Sequence, residues 1–170
     1  ISLEMDFEQK NIHWIVQLDK NGKVSGPPIP NVEPVENEKT GKAKDKVISL
    51  LIPYTDPDFI SISTKPEYYF LVGQSKVLFG EDKKDSSKVK LEFVKNTLRE
   101  MGNHPLLMAL LKFLENTKEI SKALVGLKES GMKPVDWITF SVGGSLLVKD
   151  ENIIYLWREY RKKHSRFNLV

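Results

Sequence analysis

The apolar positions of this chain change their period part-way along, and the change divides it into two kinds of structure. Up to residue 80 they form short runs or alternate. Ile12–Leu18, IHWIVQL, is rich in β-branched and aromatic residues and reads as a strand. Asp19-Lys20-Asn21-Gly22 closes it with an Asn-Gly pair, a strong hairpin signal because both positions accept positive φ, and Lys23–Ser25 returns as the partner. Residues 26–46 are rich in Pro, Glu and Lys, too polar to pack, and read as a long mobile loop. Val47–Ile52 is a third strand, ended by Pro53. Within Phe59–Gly80, the apolar runs Tyr68–Val72 and Val77–Gly80 flank Gly73-Gln74-Ser75-Lys76. They read as two short buried strands with an exposed polar tip between them.

Beyond residue 85 the spacing becomes helical. Ser86–Met101 places Leu91, Val94, Leu98 and Met101 on one face, with Phe93 beside them. Asn103-His104-Pro105 opens a second helix, with Asn as cap and Pro in the first turn, and it continues through LLMALLKFLE. Thr117 caps a third, whose Ile120, Ala123, Leu124 and Leu127 form a stripe that Gly131 ends. Asp136–Val142 alternates again, turns at Gly143-Gly144 and returns as Ser145–Val148. Because a strand follows it, the glycine pair is a hairpin turn and no phosphate cradle. Asp150 caps a closing helix that buries Ile153, Leu156, Trp157 and Tyr160. Arg158, Arg161, Lys162 and Lys163 at its end suit the negative pole of the helix dipole or a partner surface. Strands first and helices after predict an α+β fold: antiparallel strands and hairpins at residues 11–25 and 47–80, packed with a helical bundle of about four helices.

The length of 170 residues and 40% hydrophobic content suit one domain over 1–170 with a sizeable core. A start at Ile1 and an end at Val170, just after a basic run, read as a piece cut from a longer protein. There is no apolar run of about 18 residues and no secretion signal, so no membrane partner is expected. The absence of cysteine rules out disulfides, thiolate metal sites and a Cys nucleophile, and fits a cytoplasmic location. His13, His104 and His164 lack ligand spacing, and no P-loop, Gly-x-Ser-x-Gly or dinucleotide fingerprint occurs. Neither a metal, nor another cofactor, nor catalysis is expected.

Charge changes the picture more by its place than by its sum of +3. The balance runs from −3 over residues 1–40 to +2 over 41–100 and +4 over 101–170. Lys39, Lys42, Lys44 and Lys46 form a comb in the polar loop, either a solvated face or a clamp on phosphates. At the tip, the Gln74 amide has the donors and acceptor to read a base edge, while Ser75 and Lys76 suit sugar and phosphate. An ordinary turn has the same composition.

Four stretches in order carry a resemblance. They are Ile-x-Trp-Ile-Val-x-Leu-Asp-x-x-Gly (Ile12–Gly22), a basic loop running into an apolar strand and Pro (Lys39–Pro53), Lys65-Pro66 followed by Phe-Leu-Val-x-x-x-Lys-x-x-x-Gly (Phe70–Gly80), and Ile-x-Phe-x-Val-x-Gly-x-Leu-Leu-Val leading to a helix with Trp (Ile138–Trp157). Together they resemble the N-terminal part of the large subunit of the type I-C CRISPR surveillance complex, Cascade. The resemblance implies a non-catalytic module that recognises the protospacer-adjacent motif of double-stranded target DNA and supports R-loop formation. It would work with the other Cascade subunits and the CRISPR RNA ribonucleoprotein, and with a helicase-nuclease recruited later. The family's DNA-contacting asparagine maps onto Gln74, whereas its upstream arginine has no counterpart in Ser61–Thr64 before Lys65. The expected DNA-binding residues are Lys42, Lys44, Lys46, Lys65, Gln74, Ser75 and Lys76. The residues by themselves leave a protein-docking module open as the alternative.

Overall fold

A computed structural model describes residues 7–53, 68–101 and 103–164. Its sheet is built on a pair the sequence does not announce: β2 (Trp14–Leu18) lies parallel to β9 (Trp137–Val142), with Trp14 opposite Ile138 and Leu18 opposite Val142. From Ile138 to Val142 every residue of β9 is buried, as expected of a strand covered on both faces. β3 (Ile29–Pro30) pairs antiparallel with β2. On the other side β8 (Val72–Gln74) pairs antiparallel with β9, and β7 (Tyr68–Tyr69) with β8. β10 (Ser145–Leu146) folds back on β9 through Gly143 and Gly144 at φ 57 and 84, the expected hairpin turn. The order β3-β2-β9-β8-β7 is therefore a mixed sheet, where all-antiparallel pairing was expected. The fold remains α+β.

Outside this sheet, β1 (Phe7–Asn11) pairs antiparallel with β6 (Ser49–Pro53). Of the residues in β1 only Phe7 is apolar, which hides the strand from any pattern reading. The stretch expected to be a loop contains β4 (Val32–Glu36) and β5 (Ala43–Val47), an antiparallel ribbon in which Glu33 faces Lys46 and Val35 faces Lys44. It does fail to pack, for residues 33–46 are all exposed, but extended backbone paired across a turn needs no core to be regular.

The four long helices stand where their spacing puts them: α2 (Asp85–Glu100), α3 (Pro105–Leu114), α4 (Thr117–Glu129) and α5 (Glu151–His164). Asp150 caps α5, its Oδ1 accepting from the Ile153 N–H at 3.0 Å. Two other caps shift by one residue. His104, not Asn103, caps α3 through Nδ1, which accepts from the Leu106 N–H at 3.2 Å; Asn116, not Thr117, caps α4, accepting from the Glu119 N–H at 3.3 Å.

Aromatic rings join the layers. Trp157 of α5 stacks on Phe70 with centroids 4.9 Å apart, while Phe113 of α3 meets Phe140 of β9 at 5.7 Å and Phe79 at 6.2 Å. The turn after β2 is pressed onto α3: Gly22 sits at φ 76, and a Cβ there would lie 2.5 Å from the Ala109 carbonyl oxygen. The Glu119 carboxylate of α4 then accepts from the Val24 N–H at 2.8 Å, and the expected return strand Lys23–Ser25 is reduced to a single bridge of Val24 to Leu18.

Candidate nucleic-acid interface

The segment expected to be a polar tip is instead folded into the end of the sheet. Gln74 ends β8, and Ser75–Leu78 form a single turn of helix, α1, where the second strand of a hairpin was expected. An apolar run as short as Val77-Leu78-Phe79 suits a buried strand or a buried helical turn equally. Packing decides for the helix, since Leu78 closes over Gly73 so tightly that a Cβ there would meet its Cγ at 2.9 Å. The backbone of the turn is stitched to the neighbouring loop, Ser75 N–H donating to Asp136 O and Lys76 N–H to Pro134 O, each at 3.1 Å. Ser75 is fully buried, and its hydroxyl donates to Pro134 O at 2.9 Å. It holds the turn from beneath, where an exposed position at a tip was expected.

Gln74 is half-buried and sits opposite Trp137 in the β8–β9 register. Its Nε2 donates to Val135 O across a long 3.4 Å, and its Oε1 is, among the described residues, the one buried side-chain polar atom with no hydrogen-bond partner. Around it the strand starts bring together groups from far along the chain. The Lys10 ammonium lies 4.1 Å from the centroid of the Trp137 ring, and His13 Nδ1 accepts from the Trp137 N–H at 2.9 Å. Asp136 accepts from Trp14 Nε1 and from the Lys133 N–H, each at 3.0 Å, with His13 Nε2 4.0 Å from its other oxygen. Lys76 is half-buried and its charge acts on Asp82. That carboxylate is held below its ordinary range first by the Lys84 N–H, then by the Ser87 hydroxyl, with Lys76 contributing least.

The ribbon springs from the same end of the sheet. Buried Asn31 donates through Nδ2 to Ile12 O at 2.9 Å and to Ile48 O at 3.1 Å, and its backbone N–H donates to His13 O at 2.9 Å. Those bonds fix both strands of the ribbon at its root, beside the residue that also anchors Trp137. Lys44 and Lys46 lie on β5 and Lys42 on the turn just before it, all three exposed, and among the described residues none of them is held in an ion pair. Lys65 lies outside the described residues.

The root of the lysine ribbon and the Gln74–Lys76 turn thus share one end of the sheet. Lys10, His13 and Trp137 join them without any local signal, because the register that assembles them links positions 124 apart. A family model described as CRISPR-associated protein (Cas_Csd1) matches residues 2–169 of the chain. No curated protein matches it.

Proposed function

The chain belongs to the Cas_Csd1 family of CRISPR-associated proteins, and from that premise we propose that it is a non-catalytic DNA-recognition module of a type I-C, RNA-guided surveillance complex. In this reading it inspects double-stranded DNA for the protospacer-adjacent motif and supports R-loop formation, while the guide RNA reads the remaining sequence by pairing. Neighbouring subunits, the CRISPR RNA ribonucleoprotein and a later helicase-nuclease are its partners.

The observation that supports it best is the state of Gln74. Buried polar side-chain atoms without a partner are rare in folded proteins, and such an atom asks for a reason. Swinging the amide outward gives up one 3.4 Å hydrogen bond and removes an acceptor that has no donor, so its release costs little. Once out, it offers a base edge both donor and acceptor. Lys76 and the ribbon lysines supply contacts to phosphate that carry no sequence information.

The test compares duplexes with and without the adjacent motif, bound by the full-length protein in its complex. Gln74→Ala is expected to lose about 1–3 kcal/mol of preference for the motif, the worth of one base contact, and to leave binding to other duplexes nearly unchanged. Lys76→Ala is expected to weaken both equally. Undiminished discrimination by Gln74→Ala refutes the assignment; failure of the parent to bind any duplex across salt returns the module to docking on neighbouring proteins.

A further inference from the structure

The β4–β5 ribbon is two-faced in charge. Side chains alternate along a strand, so the register that sets Glu33 opposite Lys46 and Val35 opposite Lys44 also sorts every charge on it. One face carries Lys44 and Lys46, and the same alternation brings Lys42 to that side, with Glu33 as the single opposing carboxylate. The reverse face carries Glu36 and Asp45 with Pro34 and Ala43 between them, and no cation. Lys39 and Glu38 sit in the turn and offset one another. A ribbon that only needed solubility, or lysines that only blunted its open edges, would gain nothing from keeping the signs apart.

We infer that the ribbon is an arm that lies along the phosphate backbone of a DNA duplex with its lysine face down and its Glu36/Asp45 face turned away. The inference rests on the proposed DNA recognition and adds to it which surface meets the backbone. Alternate residues of a strand stand about 6.7 Å apart, and DNA carries one phosphate charge per ~3.4 Å of helix axis on each strand, so neighbouring lysines of the row can each reach a different phosphate. The root is stiff enough to hold that orientation, because Asn31 bonds to the carbonyls of both Ile12 and Ile48. The acidic face, presented to the same backbone, repels it.

The experiment moves the charge from one face to the other. In the full-length protein, duplex affinity is measured across salt for the parent, for Lys42→Ala/Lys44→Ala/Lys46→Ala, and for that triple variant with Glu36→Lys, Ala43→Lys and Asp45→Lys added. All six positions are exposed, and thermal melts check that the fold survives. The triple variant is expected to weaken every duplex alike and to flatten the log–log salt slope by up to about 2.7, at roughly 0.9 per lost phosphate contact. The face-swapped variant is expected to stay weak although it is more positive than the parent. Recovery of parent affinity and slope by the face-swapped variant overturns the inference, because net charge then suffices. So does an unaffected triple variant, or a loss seen only with a single strand of the same sequence; in those cases the parent's own duplex binding still upholds the proposed function. A parent that binds no duplex removes both.

Discussion

Replacing Gly22 by Ala tests how closely the turn after β2 is pressed onto α3. Two costs add. The first is conformational: at φ 76 an L side chain meets its own backbone, which costs roughly 1–2 kcal/mol. The second is steric, because the new Cβ would lie 2.5 Å from Ala109 O, 2.8 Å from Phe113 N and 2.9 Å from the Lys112 Cβ. Two of those three atoms are helix backbone and cannot step aside, so hairpin and helix must separate at a cost of about 1–3 kcal/mol, as in an overpacked core. A total of about 2–5 kcal/mol lowers the melting temperature by roughly 4–20 °C for a chain of this size. Gly131→Ala is the internal control, since Gly131 also has positive φ, at 96, but nothing lies within 4 Å of its Cβ position. It should show the conformational cost alone. Urea denaturation of both variants measures the difference, and a Gly22 variant no less stable than the Gly131 variant would falsify the close approach.

Two further outcomes can be checked on the same protein. The Glu119 carboxylate, with the Val24 N–H as the largest influence and Lys122 also helping, is held below its ordinary value of 4.5 despite burial. Its contribution is therefore whole above pH 4.5 and lost as pH falls through the lower folded value, so Glu119→Gln should flatten the acid limb of a stability–pH profile. Asn31→Ala leaves the Ile12 carbonyl without its Nδ2 donor and the Ile48 carbonyl with the Ile12 N–H alone, at about 1–3 kcal/mol, and should raise amide exchange across Val32–Val47 before it does so in β9; unchanged exchange there would detach the ribbon's order from Asn31.

What was legible in the sequence is what a few neighbouring residues decide among themselves. The stripe of α5 and its Asp150 cap, the Gly143-Gly144 turn and the spacing of α2 through α4 are of this kind. The ribbon was half legible. Its polarity truly keeps it out of the core, but the pairing of Glu33 with Lys46 and Val35 with Lys44 depends on a turn whose Gly41 adopts φ 67, and composition suggested only a loop. The turn at Ser75–Leu78 was misread because three apolar residues carry no period, and what selects the helix is Leu78 folding onto Gly73. Least legible was the neighbourhood of Gln74, assembled by strands whose partners are far along the chain.

That distance has a kinetic side. β9 lies between β2 and β8, yet it is encoded more than sixty positions after β8 and more than a hundred after β2. While the chain is being synthesised, at about 5–20 residues per second, β2 waits on the order of ten seconds for the strand that completes it. During that wait the edges β9 will cover are open to pairing with another nascent chain. The closing step joins His13 to Trp137 across 124 positions, so the entropy of a long loop must be met before the central pairing rewards it. Arrival of β9 closes both of those edges in one step, because the same strand pairs with β2 on one side and β8 on the other.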